Sequence, residues 1–183
     1  VSGGASGASG CGMNRYVCQK GKQMARRILR LTLVVVLLAN WTIPSPAWAW
    51  GKEGHQIVGF IAEKHLTPEA QAAIEGLLGD GHRISDDAVA NWADGVRNVI
   101  RATGPWHYVD IPVEAGKYDP KRDCKNSDCV IARIERFREI LADTTAQRAD
   151  RQQALKYLVH LVGDLHQPLH CAERNGDKGG NLC

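Results

Sequence analysis

Beyond residue 50 the chain is dominated by apolar residues at helical spacing. His55 to His65 reads as a helix with Ile57, Ile61 and Ala62 on one side. Thr67-Pro68-Glu69 supplies an N-cap followed by proline at the first helical position, so the next helix should run to about Leu78 and stop at Gly79. Ser85 is expected to cap a further helix through Val99, because Val89, Trp92, Val96 and Val99 repeat with the same period. Trp106 to Pro112 is short, aromatic and β-branched, and reads as extended chain. Val130 to Leu141 is amphipathic, with Ile131, Ile134, Phe137, Ile140 and Leu141 inward. The clearest helix runs from Ala149 to Leu165, with Leu155, Leu158, Val162 and Leu165 on one face, and Pro168 ends it. Residues 172–181 form a polar, Gly-rich loop, and no internal repeat occurs. The expected class is mainly α, a helix bundle able to carry ligands on its inward faces.

The front of the chain has a different pattern. Met24-Ala-Arg-Arg-Ile-Leu-Arg is basic, Leu31 to Leu38 is an apolar run, and Ala47-Trp48-Ala49 places small residues where signal peptidase reads them. The apolar run is shorter than the roughly 20 residues a membrane span needs. Residues 24–49 therefore read as a signal peptide, cleaved to leave Trp50 as the new N-terminus of an exported protein with no stable membrane anchor. Residues 1–23, Gly/Ser-rich and then basic, read as an upstream segment foreign to the mature protein. Residues 50–183 form the remaining domain.

This division changes the meaning of the charge. The net +3 of the chain rests on 23 Lys and Arg against 20 Asp and Glu. Six of the basic residues precede residue 50 and no acidic one does, which leaves 17 against 20 and a net −3 for the body. An acidic body argues against broad electrostatic capture of duplex nucleic acid. A phosphate-bearing partner would have to be held locally, and bound metal ions are the obvious local positive charge. Four of the six cysteines, Cys124, Cys129, Cys171 and Cys183, lie in this body and suit an oxidising compartment, with the pairing open.

The candidate chemistry is concentrated in four short segments. In HLVGDLHQPLH, His160 and Asp164 are four apart and project from one helix face, His166 is displaced round that helix, and His170 follows the proline. One histidine on a helix is usually structural. Three histidines and an aspartate within eleven residues of an apolar helix are harder to dismiss, because burying them unpartnered costs several kcal/mol. In WGKEGH, a free α-amino group on Trp50 and the carbonyl of the same residue could chelate one ion, with His55 a turn further on. NWADGVR places Asp94 inside a helix, where aspartate is unfavourable without a reason. PWHYVDIP carries His107 and, three residues on, Asp110. Together His55, Asp94, His107, His160, Asp164, His170 and the Trp50 terminus are nitrogen and carboxylate donors without thiolates, a set that suits catalytic Zn²⁺.

These segments, in this order and followed by GGN, closely resemble the zinc-dependent single-strand nucleases of the S-one/P-one type, particularly bacterial members. The resemblance spans Trp50 to about Asn181. It implies an α-helical fold shared with zinc phospholipases C and a trinuclear zinc site. Asp94, His107, His160 and Asp164 would hold one zinc. Trp50, His55 and Asp164 would hold a second, with Asp164 bridging, and His170 would serve a third. Asp110 would orient the attacking water, Asn181 would brace a phosphate oxygen, Tyr108 would line the base pocket, and Cys124 and Cys129 would pair. The family completes its third zinc with a later His-x3-Asp that is absent before Cys183, so the chain reads as C-terminally truncated, with apolar faces uncovered. The implied activity is hydrolysis of single-stranded DNA or RNA and 3′-nucleotides to 5′-phosphates by a monomeric enzyme. A zinc phospholipase C and a non-catalytic zinc-binding exported protein are the alternatives.

Overall fold

The computed structural model describes residues 51–177 together with Met24, Leu29 and Gly179; the rest of the leader, Trp50, Asn181 and Cys183 lie outside the described residues. The chain divides into units Val1–Pro46 and Ala47–Cys183, and all the helices named below belong to the second. They are α1 (Lys52–Glu63), α2 (Pro68–Leu78), α3 (Asp87–Ala90), α4 (Trp92–Val99), α5 (Pro120–Asp123), α6 (Val130–Ala142) and α7 (Arg148–Leu165), with short 3₁₀ turns between them. Among the described residues there is no strand, only an isolated parallel bridge between Pro112 and Glu173. The mainly α class is as expected.

Local chemistry sets most boundaries. The Thr67 side chain accepts the Ala70 N–H at 3.2 Å, Pro68 opens α2, and Gly79 ends it at a φ of 101° that a side chain would resist. The first helix starts three residues before His55, with Gly51 extended at its N-cap and Glu53 in the first turn, where the helix dipole favours an anion. Ile57, Phe60 and Ile61 make its outward face, at 57%, 48% and 53% exposed, while His55 and Gly59 face the protein.

Two expectations are corrected. Residues 85–99 are not one helix capped by Ser85. Asp86 occupies the N-cap position, and the run breaks at Asn91 (φ −107°, ψ 4°) into α3 and α4, with Val99 84% exposed. Trp106 and His107 are not extended, because they close a 3₁₀ turn, Arg101–His107. Tertiary contacts override the β-branched pattern there. The Trp106 ring packs at 5.9 Å from Phe137 and 5.4 Å from Tyr157, and its Nε1–H donates to Asp128 at 2.8 Å. Extended chain follows, with Val109 N–H bonded to the His170 carbonyl (2.8 Å) and Glu173 N–H to that of Ile111 (2.9 Å).

The last helix, α7, is the spine. Leu155 joins one core with Leu77, Leu78, Ile84 and Val89, whereas Ala154, Tyr157 and Leu161 join another with Ala93, Val109, Val130 and Phe137. Arg148 and Gln152 at its start donate to the Gly76 and Leu77 carbonyls that end α2. Its C-terminal half then lies between α1, α3 and α4.

Candidate metal centre

His160 and Asp164 of α7 are 0% and 1% exposed, and every candidate ligand within the described residues converges on them. His55 comes from α1, Asp94 from α4, and His107 from the end of the 3₁₀ turn. The pairing of 109–111 with 170–173 sets His170 beside His107. The Asp164 carboxylate has two sides. Its Oδ2 lies 2.9 Å from His107 Nδ1 and 3.3 Å from His160 Nε2. Its Oδ1 lies 3.4 Å from His55 Nε2 and 3.2 Å from His170 Nδ1. Asp94 Oδ1 approaches His107 Nδ1 at 3.9 Å and His160 Nε2 at 3.7 Å, and those two nitrogens are 3.1 Å apart.

The arrangement fits a cation. The break at Asn91 presents the Ala90 carbonyl, which accepts His160 Nδ1–H at 2.7 Å. That bond fixes the tautomer and turns the Nε2 lone pair toward Asp164 Oδ2. A lone pair at 3.3 Å from a carboxylate oxygen is repulsive unless a proton or metal ion lies between them. Four atoms, Asp94 Oδ1, His107 Nδ1, His160 Nε2 and Asp164 Oδ2, define five measured edges of 2.9–3.9 Å. A tetrahedral zinc with bonds of 2.0–2.1 Å needs edges of about 3.3 Å. His170 Nδ1 is buried and makes no aligned hydrogen bond, although it faces Asp164.

Electrostatics favour the ligating forms of His55 and Asp164, and a proton on His160 that a metal ion would displace. Burial, followed by the neighbouring His160, lowers His55 to a pKa of about 4, so it is neutral near pH 7. Burial alone would raise Asp164, but the imidazoles of His107, His160 and His170 outweigh it and hold the carboxyl well below its usual range. Burial also acts to lower His160, and Asp164 reverses the balance and raises it.

His55 is held by close packing. Its ring stacks on that of His160 at 3.8 Å and 17°. A Cβ at Gly163 would sit 2.8 Å from His55 Nδ1, so only glycine leaves room for the ring at that step of α7. Neither Gly163 nor the Ala90 carbonyl was singled out in the sequence. Gly163 had a signal, a glycine inside a strong helix, and the carbonyl had none.

Among the other candidates, Tyr108 and Asp110 border a cavity of about 450 Å³ with Arg97, His107, Leu169 and His170. Burial first, then Glu173 and Asp177, raises the Asp110 carboxyl. His166 points outward and donates Nδ1–H to the Val162 carbonyl at 2.7 Å. Cys124 and Cys129 form a disulfide, as the resemblance implied, while Cys171 keeps its thiol and donates to the Leu165 carbonyl. Trp50 and Asn181 fall outside the described residues.

The family model for S1/P1 Nuclease matches residues 50–183, which include every one of these candidate ligands. The chain belongs to the S1/P1 nuclease family. Nuclease S1 of Aspergillus oryzae is 31% identical over 160 residues, covering 85% of this chain and 53% of that protein. Nuclease P1 of Penicillium citrinum is 33% identical over 128 residues, 66% of this chain and 47% of its own length. Endonuclease 2 of Arabidopsis thaliana is 32% identical over 163 residues, 82% and 56% respectively. The chain thus spans about half the length of the curated relatives it matches. All three relatives are named nucleases.

Proposed function

We propose that the protein is an exported, zinc-dependent endonuclease that hydrolyses single-stranded nucleic acid and 3′-nucleotides to 5′-phosphate products. The observation that carries this reading is the convergence of His55, His107, His160 and His170 on the two oxygens of buried Asp164 in a chain of the S1/P1 nuclease family. Asp94, His107, His160 and Asp164 would hold one zinc. His55, Asp164 and the amino group and carbonyl of Trp50 would hold a second, and His170 would contribute to a third. When bound, such ions make water nucleophilic near neutral pH and neutralise charge on a phosphate.

The protein's own groups do the rest. Asp110, which borders the cavity, accepts a hydrogen bond from the attacking water and aims it. Tyr108, 40% exposed, offers a face on which an unpaired base stacks; such a stack is worth about 1–3 kcal/mol and is unavailable to a paired base. Asn181 donates to a phosphate oxygen, which stabilises the charge that grows as the bond breaks. The domain would comprise residues 50–183 of a monomer, exposed by removal of the 24–49 leader, with 1–23 foreign to the mature protein. Among the described residues no helix is long and apolar enough to cross a membrane.

The test compares hydrolysis of single-stranded DNA, duplex DNA, a 3′-nucleotide and phosphatidylcholine by the zinc-loaded protein that starts at Trp50. The first and third should be cleaved, and one residue fused before Trp50 should lower both activity and zinc content. Preferential cleavage of phosphatidylcholine, or bound zinc without turnover of any substrate, would overturn the reading.

A further inference from the structure

Tyr108 and Asp110 border two spaces. One is the cavity over the metal ligands. The other is a groove of about 710 Å³ whose walls include Trp106, Arg122, Lys125 and Arg133. Its far wall is the loop closed by the Cys124–Cys129 disulfide, in which Asn126 (φ 59°) and Ser127 (φ 55°) take the left-handed conformation. Two of the groove's three cations are already engaged. Arg122 Nη2 pairs with Asp123 Oδ2 at 2.8 Å and also donates to the Lys117 carbonyl. Arg133 Nη2 pairs with Asp128 at 2.8 Å, and its guanidinium lies 4.3 Å over the Trp106 ring. These pairs neutralise Asp123 and Asp128. Lys125 is exposed, with no ion-pair partner among the described residues, so it is the cation the groove's far wall has left for a ligand, while the carboxylate of Asp110, likewise unpaired among them, lies on the Tyr108 side.

We propose that this groove is a subsite for the nucleotide next to the one whose base lies on Tyr108, and that Lys125 holds that nucleotide's phosphodiester. The ligand class is a flexible single strand, because a strand must bend over the Tyr108 ridge to enter both spaces. The disulfide keeps the Lys125 wall in place. The subsite rests on the nuclease reading and adds to it a reason for oligonucleotides to bind better than single nucleotides.

The experiment uses the zinc-loaded protein and its Lys125→Glu and Lys125→Arg variants, with a single-stranded DNA oligonucleotide and a 3′-mononucleotide as substrates. K125E should raise KM for the oligonucleotide by about 3–10-fold, whereas K125R should restore it. The salt dependence of oligonucleotide binding should weaken by about 0.7 in log–log slope, the loss of one single-strand phosphate contact. Mononucleotide hydrolysis, zinc content and Tm should not change. An unchanged oligonucleotide KM in K125E, or an equal loss on the mononucleotide, overturns the subsite. If the parent protein cleaves neither substrate, the nuclease reading fails. Fluorescence anisotropy with a phosphorothioate oligonucleotide then still decides whether the groove binds single strands through Lys125.

Discussion

Replacing Gly163 by alanine sets two effects of known sign against each other. In an ordinary helix position, alanine is better than glycine by about 1 kcal/mol. At Gly163 the new Cβ would lie 2.8 Å from His55 Nδ1, and ordinary contact begins at 3.4 Å. The ring must therefore retreat by roughly 0.6 Å, in a core where such overpacking costs about 1–3 kcal/mol. It has little room, since its face rests on His160 at 3.8 Å. Ligand positions tolerate deviations of about 0.2 Å, so the displacement falls on the metal site as well. Gly76 in α2 is the matched control, because a Cβ there would meet nothing within 4 Å. Thermal unfolding of the metal-free proteins should place Gly76→Ala above the parent and Gly163→Ala level with it or below it by up to about 2 kcal/mol. Elemental analysis of the zinc-loaded proteins should show fewer ions per chain in Gly163→Ala alone. A Gly163→Ala protein as stabilised as the control, with undiminished zinc, would refute the account of how His55 is held.

Two further outcomes test the electrostatics. Glu63 accepts the Ser85 N–H at 2.9 Å and pairs with Arg83; burial acts to raise its pKa, but these donors prevail and hold it below 4.5. A depressed carboxylate contributes stability above its unfolded pKa and loses it as pH falls through the folded one. Glu63→Gln should therefore cost about 1–3 kcal/mol at pH 7 in urea unfolding of the metal-free protein, with the gap to the parent closing below about pH 4.5; a gap independent of pH would contradict the assignment. Asp164→Asn keeps the shape of the side chain but removes the charge that faces four imidazoles. Calorimetric zinc titration should show loss of tight binding on both sides of the residue, and a variant that binds the parental number of ions would exclude a shared carboxylate.

The candidate ligands were legible because three imidazoles and a carboxylate gather within eleven residues of an apolar helix and because the other segments resemble a known family, and His160 and Asp164 do share one face of α7. The α2 boundaries were legible too, since Thr67, Pro68 and Gly79 act through local bonds. What the pattern missed is governed by distant contacts. The break at Asn91 leaves no mark in the repeat of Val89, Trp92 and Val96, yet it presents the carbonyl that sets the His160 tautomer. Trp106 and His107 look extended in isolation, and packing against Phe137 and Tyr157 curls them into a turn. The apolar face of Ile57 and Ile61 was visible in the periodicity, but its exposure was not, because spacing shows that a helix has two sides and says nothing of which one is covered.

The two-sided use of Asp164 has a consequence for metal supply. Ions seated on opposite oxygens of one carboxylate would not load independently. The first to arrive fixes the torsion of the side chain and leaves the second oxygen already aimed, so vacancy on one side weakens the other. Under scarcity, such a protein population would split into fully charged and empty molecules instead of fading evenly.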